Sequence, residues 1–145
     1  MEEPTFDPLR LEAQMCFPLY AASREVIKQY HPYLDPLGLT YTQYVTMMVV
    51  WETRCISARE LGKRLYLDSG TLTPLLKALE QKGYLVRTRS KEDERVLLVE
   101  LTDAGAQLKA ACAEIPAKVG ACIPLPHEDA VQLYRILYEL LDRLN

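Results

Sequence analysis

The stretch from Leu65 to Gly83 reads LYLDSGTLTPLLKALEQKG, and its reading decides the fold. Asp68 and Ser69 can cap a helix, and Gly83 can end it. At about 100° per residue, Leu72, Leu75, Leu76 and Leu79 share one arc of about 100°, the stripe such a helix must bury. Ser69, Gly70, Thr73, Lys77 and Gln81 fall on the opposite arc. That outer face carries small hydroxyls and one cation, with nothing bulky near its start. A helix entering a DNA major groove needs this: close approach by its N-terminal half, and donors for base edges and phosphates. A merely solvated face would look alike on an isolated helix, so the neighbouring sequence has to decide.

Upstream, Ser57-Ala58-Arg59-Glu60 has the form of a capping box and opens a short helix ending near Leu65. Thr40-Tyr41-Thr42-Gln43 is a second such box, opening a helix through Trp51. Downstream the period changes. Leu85 to Arg89 and Val96 to Leu101 read as strands joined by the polar turn Ser90 to Glu94, a β-hairpin. Thr102 caps a further helix running toward Ile115, where Pro116 weakens it, and Glu128 to Leu144 forms a last amphipathic helix. At the other end, Leu9 to about Tyr30 reads as one long helix, with Leu11, Met15, Leu19 and Ala22 at helical spacing and His31-Pro32 as its stop. Two short helices followed by a basic hairpin make a winged helix-turn-helix. The expected fold class is therefore mainly α with a small β-hairpin. Residues 1–145 form a single chain in which 40–101 is the DNA-binding lobe, flanked by dimerisation helices in 9–39 and 102–145.

Composition agrees with a globular protein: 49% hydrophobic and 26% charged residues exclude a disordered chain. The longest apolar run, Val45 to Trp51, is broken by Thr46 and is too short to span a bilayer. Met1-Glu2-Glu3-Pro4 is acidic and lacks an apolar leader, so the expected location is the cytoplasm, away from membranes. The net charge of −3 hides a division. From Arg54 to Arg95 there are ten Lys/Arg against six Asp/Glu, while the rest of the chain has seven against fourteen. A basic middle in an acidic frame suits a DNA-reading segment on a non-contacting scaffold. The four cysteines (Cys16, Cys55, Cys112 and Cys122) and two histidines show no metal-ligand spacing, so neither a metal nor another cofactor is expected.

The hairpin carries Arg87, Arg89, Lys91 and Arg95, which can clamp phosphates or enter a minor groove. Asp93 stands where it can fix the rotamer of Arg95. Together with Ser69, Thr71, Thr73 and Lys77 these are the candidate DNA contacts. Asp93-x-Arg95 followed by Leu101-Thr102 resembles the wing signature of the MarR family of bacterial transcription regulators. The Leu65 to Gly83 stretch resembles one branch of it, the organic hydroperoxide resistance repressors, and the similarity runs from about Leu9 to the C-terminal helix.

The resemblance implies that Cys16, within LEAQMCFPLYAASRE, is a peroxide-reactive thiol supported by Tyr30 and Tyr41. It also implies a two-cysteine subclass in which a C-terminal cysteine of the other subunit resolves the oxidised sulfur. Cys122, after Gly120 and before Pro124 and Pro126, is the expected partner; Cys112 reads as buried and Cys55 as structural. The chemistry fits on its own terms. A reactive sulfur must be thiolate, tyrosine hydroxyls donating to it favour that form, and apolar neighbours such as Met15, Phe17 and Leu19 suit a greasy hydroperoxide. Tyr20 lies one helical turn beyond Cys16 on the same face and is a further candidate to support the thiolate. Tyr30 lies about 21 Å away along a straight helix, so Tyr30 and Tyr41 are expected to reach the Cys16 of a partner subunit. Pro18 departs from the branch and is expected to remove the bond to the Gln14 carbonyl and kink the helix. The expected function is a homodimeric repressor, not an enzyme, that holds a pseudo-palindromic operator while Cys16 is reduced and lets go when an organic hydroperoxide oxidises it. Two alternatives remain: a regulator answering to a small phenolic ligand, and, remotely, a thiol peroxidase, which would need the alternating strand-helix pattern absent here.

Overall fold

The computed structural model describes residues 7–145, so the acidic opening at Met1 to Pro4 lies outside the described residues. After a 3-10 turn at Leu11–Ala13 come α1 (Cys16–Lys28), α2 (His31–Leu34), a second 3-10 turn (Asp35–Leu37), α3 (Tyr41–Thr53) and β1 (Cys55–Ser57). There follow α4 (Ala58–Leu65), α5 (Ser69–Gln81), β2 (Leu85–Arg89), β3 (Leu97–Leu101), α6 (Asp103–Cys112), α7 (Ile115–Gly120) and α8 (His127–Leu144). The chain divides into two compact units, the first ending at Ile115 and the second running Pro116–Asn145.

Of the two expected capping boxes, that at Thr40 forms in full, while at Ser57 only the cap residue's own bond forms and the Glu60 carboxylate pairs with Lys63. Thr40 and Gln43 make a reciprocal capping box at the start of α3. Ser57 accepts from the Glu60 N–H and Asp68 from the Thr71 N–H, each satisfying a donor that the first helical turn leaves orphaned. Gly83, at φ +82°, ends α5: its N–H reaches the Glu80 carbonyl and that of Tyr84 the Leu79 carbonyl, the paired bonds of a Schellman turn. Leu72, Leu76 and Leu79 of α5 are buried and Leu75 is half-buried. α5 packs against α3, α4 and β2, where Met47, Val50, Leu61 and Leu85 are likewise buried, as is Val99 on β3. Each such side chain contributes roughly 1.5–3 kcal/mol of transfer free energy.

The sheet has three strands in the order β1-β3-β2, all antiparallel. The β2/β3 hairpin is the expected one, but β1 is an addition. Three residues are too few to show a period, and only pairing with β3, Cys55 against Glu100 and Ser57 against Leu98, makes them a strand.

Three helix boundaries correct the sequence reading. The expected continuous helix from Leu9 to Tyr30 is broken at Gln14, whose backbone is extended, and α1 begins only at Cys16. Pro18 thereby becomes the third helical position. Its missing N–H is one that the first turn leaves unbonded anyway, so no ladder bond to Gln14 is lost. His31-Pro32, expected as a stop, instead opens the short helix α2. Pro116 likewise stands in the first turn of α7, and α6 has already ended at Cys112.

Gly105, on α6, shows why the lobe closes tightly. A Cβ there would lie 2.0 Å from the Tyr84 carbonyl oxygen. Its own carbonyl accepts the indole N–H of Trp51 at 2.8 Å, tying α6 to α3. In the second unit, α8 buries none of its residues and exposes Val131, Leu133, Tyr134, Ile136, Tyr138 and Leu140. Its other face carries an Arg135–Glu139–Arg143 ladder at helical spacing.

Candidate DNA-reading surface and thiol site

On α5, the candidates Ser69, Thr71, Thr73 and Lys77 all stand exposed, as does Gln81. Thr73 donates back to the Ser69 carbonyl, which leaves its oxygen lone pairs and methyl outward. Pro74, which the sequence reading passed over, is also exposed and lies inside the helix. Lacking an N–H, it cannot donate to the carbonyl one turn back.

The wing separates its arginines into two kinds. Arg95 is extended into solvent, with its side chain 90% exposed, and its guanidinium is held by both oxygens of Asp93 at 3.0 and 3.1 Å. The Arg95 backbone N–H donates to the same carboxylate, so side chain and turn are fixed together. Those bonds hold the Asp93 carboxyl below the usual carboxylate range. Arg87, by contrast, is only 22% exposed and faces Glu80 of α5. Both its backbone N–H (2.7 Å) and its guanidinium reach that carboxylate, and Glu80 is lowered accordingly. Arg87 thus joins the wing to α5, while Arg89, Lys91 and Arg95 project outward.

The sulfur sits elsewhere. Cys16 is the first residue of α1 and is exposed, flanked by the exposed Met15 and Phe17 and with Leu19 a turn further on. A group at that position lies at the positive end of the helix dipole. Tyr20, one turn on, accepts a hydrogen bond from Arg24 at 3.3 Å, and the same guanidinium lies 5.5 Å from its ring centre. Its own hydroxyl proton remains available to donate.

Tyr30 and Tyr41 are brought together, but not to Cys16. Their rings meet edge to face at 4.8 Å, and both pack on Tyr44, at 5.9 and 6.3 Å. From Cys16 to Lys28 alone, α1 rises about 18 Å before Tyr30 is reached. Burial raises all three phenols above the ordinary tyrosine value, Tyr44 to about 12, so they remain protonated donors across the physiological range. The sequence reading missed Tyr44. Its only signal was the three-residue spacing from Tyr41, which puts both on one face of α3.

The remaining cysteines separate by environment. Cys112 is buried, and that burial pushes its thiol up. Cys55, read as structural, is exposed on β1; its thiol faces Glu100 at 3.9 Å, and partial burial and the carboxylate raise it. Neither environment favours a reactive thiolate. Cys122 is exposed just past α7 and donates to the Lys118 carbonyl at 3.3 Å. Among the described residues no group of three His, Cys, Asp or Glu gathers where a metal could bind, and no helix is long and apolar enough to cross a membrane.

A capped helix pair, a basic hairpin and a sheet closed by a short third strand define a winged helix-turn-helix protein. A family model described as transcriptional regulator SarA/Rot matches residues 28–112. The organic hydroperoxide resistance transcriptional regulator of Bacillus subtilis (strain 168) is 48% identical over 143 residues, covering 99% of this chain and 97% of that one. Reduced AbfR solved bound to DNA superposes with a TM-score of 0.77 at 36% identity, covering 94% of this chain and 95% of that one. Disulfide-formed AbfR gives a TM-score of 0.67 at 35% identity, with 94% and 93% covered. The chain belongs to the MarR family of winged-helix transcriptional regulators, in the branch of the organic hydroperoxide resistance regulators.

Proposed function

We propose that the chain is a redox-sensing repressor that holds a pseudo-palindromic operator while Cys16 is reduced and releases it when an organic hydroperoxide oxidises that sulfur. The observation that carries the reading is the placement of Cys16: an exposed sulfur at the start of α1, among apolar side chains, in a chain whose relatives include a hydroperoxide resistance regulator. A neighbour solved both reduced on DNA and in a disulfide form supports the same assignment.

The chemistry balances with the peroxide as oxidant. The Cys16 thiolate attacks the terminal peroxide oxygen, the O–O bond breaks, sulfur becomes a sulfenic acid, and the departing alkoxide takes a proton from water to leave as the alcohol. The Cys122 thiol of a second subunit then condenses with the sulfenic acid, forming a disulfide and releasing water. Apolar surface around the sulfur favours an alkyl hydroperoxide over hydrogen peroxide.

The working unit is a two-fold homodimer. α1 buries no residue, and α8, described by itself, buries none either; both present apolar faces that a second copy would cover. Residues 9–39 and 102–145 then act as dimerisation elements around the lobe at 40–101. Tyr30, beyond the far end of α1, and Tyr41, which packs on it from the start of α3, would donate to the sulfur of the partner. Two copies of α5 about 34 Å apart would enter successive major grooves. Ser69, Thr71, Thr73 and Lys77 read base edges and phosphates there, and Arg89, Lys91 and Arg95 hold the flanking backbone or minor groove. Arg87 contributes by fixing the wing, and Asp93 by aiming Arg95. Such a protein works on DNA in the cytoplasm and turns over no substrate.

The test uses an operator duplex selected by the protein from a randomised pool. One equivalent of cumene hydroperoxide should release the wild type, raising its Kd by about 100-fold or more, the scale of strong allosteric coupling. The Cys16→Ser variant should bind equally well and stay bound. A Cys16→Ser variant released to the same extent would refute the reading. A covalent dimer on non-reducing gels, lost in Cys122→Ser, would test the resolving step separately.

A further inference from the structure

We infer that Lys82 is a positioning residue that couples the tyrosine cluster to the pose of the DNA-reading helix. The inference rests on the proposed redox function and concerns how oxidation reaches α5.

Lys82 is the C-cap residue of α5, the helix whose outer face carries the candidate base contacts. Its ammonium donates in two directions away from that helix. One bond goes to the Gly38 carbonyl and the other, at 2.9 Å, to Oε1 of Gln43. Gly38 is the left-handed residue (φ +67°) that turns the chain from α2 into α3. Gln43 is buried in the first turn of α3, and its Oε1 already accepts the Thr40 N–H of the capping box at 3.1 Å. One amide oxygen therefore serves both the start of α3 and the end of α5.

The residues flanking Gln43 on α3 include Tyr41 and Tyr44, the two that pack with Tyr30. A shift of these rings when their hydroxyls lose or change a partner must move the first turn of α3. Gln43 and Gly38 travel with that turn. Elsewhere α3 packs against α5, and the buried residues of the two helices are mostly apolar, such as Met47, Val50, Leu76 and Leu79, whose contacts are non-directional. The Lys82 bonds are directional and so resist sliding, while Oε1 of Gln43 keeps the Thr40 N–H when the ammonium is removed. Motion at the rings is thus transmitted to α5 as a pull on its last turn. A lysine suits the task because a single flexible stem delivers three donors to two acceptors.

Lys82 is exposed and contributes no core volume, so its removal leaves the fold in place. The experiment measures operator Kd, reduced and after one equivalent of cumene hydroperoxide, for wild type, Lys82→Met and Lys82→Arg, using the selected duplex. In Lys82→Met the reduced Kd should stay within about 3-fold of wild type, while the oxidised-to-reduced ratio falls about 10-fold or more. Lys82→Arg, which keeps the cation and its donors, should restore most of the ratio. A purely stabilising role would weaken both states alike and leave the ratio unchanged, which would overturn the inference. Failure of the wild type itself to release DNA would instead overturn the redox function, and this coupling with it.

Discussion

The winged lobe and α1 are built on opposite plans. From Thr40 to Thr102 the chain satisfies itself: its helices are capped by its own side chains, α5 is stapled to the wing by Glu80 and Arg87, and the leucines of α5 close on the sheet. α1 does none of this. It buries no residue, leaves the preceding Met15 87% exposed, and rises about 18 Å from its sulfur to Lys28, with Tyr30 lying beyond that end. A surface complete in one chain can be read from one chain. An apolar helix face left open in one chain is where the proposed second copy would pack.

The largest effect should come from denying that second copy. Placing acids at Leu133 and Ile136, exposed on one face of α8, should convert a dimer into a monomer in sedimentation equilibrium and abolish operator binding, while far-ultraviolet dichroism stays native. A dimer that survives both acids would place the interface elsewhere.

The lobe can be broken from inside. Gly105→Ala brings a Cβ against the Tyr84 backbone carbonyl, a contact that no flexible side chain can relieve. It should lower stability by about 2–4 kcal/mol, read as a fall in the urea midpoint at unchanged slope. Unchanged stability would mean that α6 does not pack on Tyr84 in this way.

A smaller effect separates the two arginines of the wing. Arg95→Ala should weaken operator binding by about 1–3 kcal/mol and flatten the salt dependence. Arg87→Ala should instead lower stability, because the half-buried Glu80 carboxylate loses the guanidinium and keeps only the backbone N–H. Equal loss of DNA affinity with no loss of stability in Arg87→Ala would erase the distinction.

The smallest concerns pH. Because the folded Asp93 carboxyl lies below its ordinary value of about 3.9, its bonds to Arg95 are fully present above that value and are lost as pH falls through the lower folded one. The Arg95 Nε–H resonance should stay protected from exchange at and below the ordinary carboxylate value and lose protection only as pH falls through the lower folded one. Loss of protection near neutral pH would show that the pair is not what orders the turn.

Sequence alone went far in the lobe for a local reason. Caps, a Gly turn and a change of period are all written within four or five residues, so Thr40, Ser57, Asp68, Gly83 and Thr102 announced their elements correctly. It failed wherever the cause was distant. β1 is a strand only because β3 lies beside it, and α1 starts at Cys16 because Gln14 is extended, which no spacing of apolar residues records. Pro18, Pro32 and Pro116 were each read as helix breakers. All three stand in first turns, where a missing N–H is harmless.

The amino-acid sequence by itself determined that a basic, capped helix and hairpin would form a winged lobe, since capping and periodicity act between near neighbours. It also singled out Cys16, through its place in a resembling stretch. Only the tertiary structure decided that Arg87 serves the wing while Arg95 reaches outward, that Tyr44 joins Tyr30 and Tyr41, and that Lys82 ties α5 to the first turn of α3. Those are contacts between residues distant in sequence, and burial and directional hydrogen bonds across such distances exist only once the chain has closed on itself.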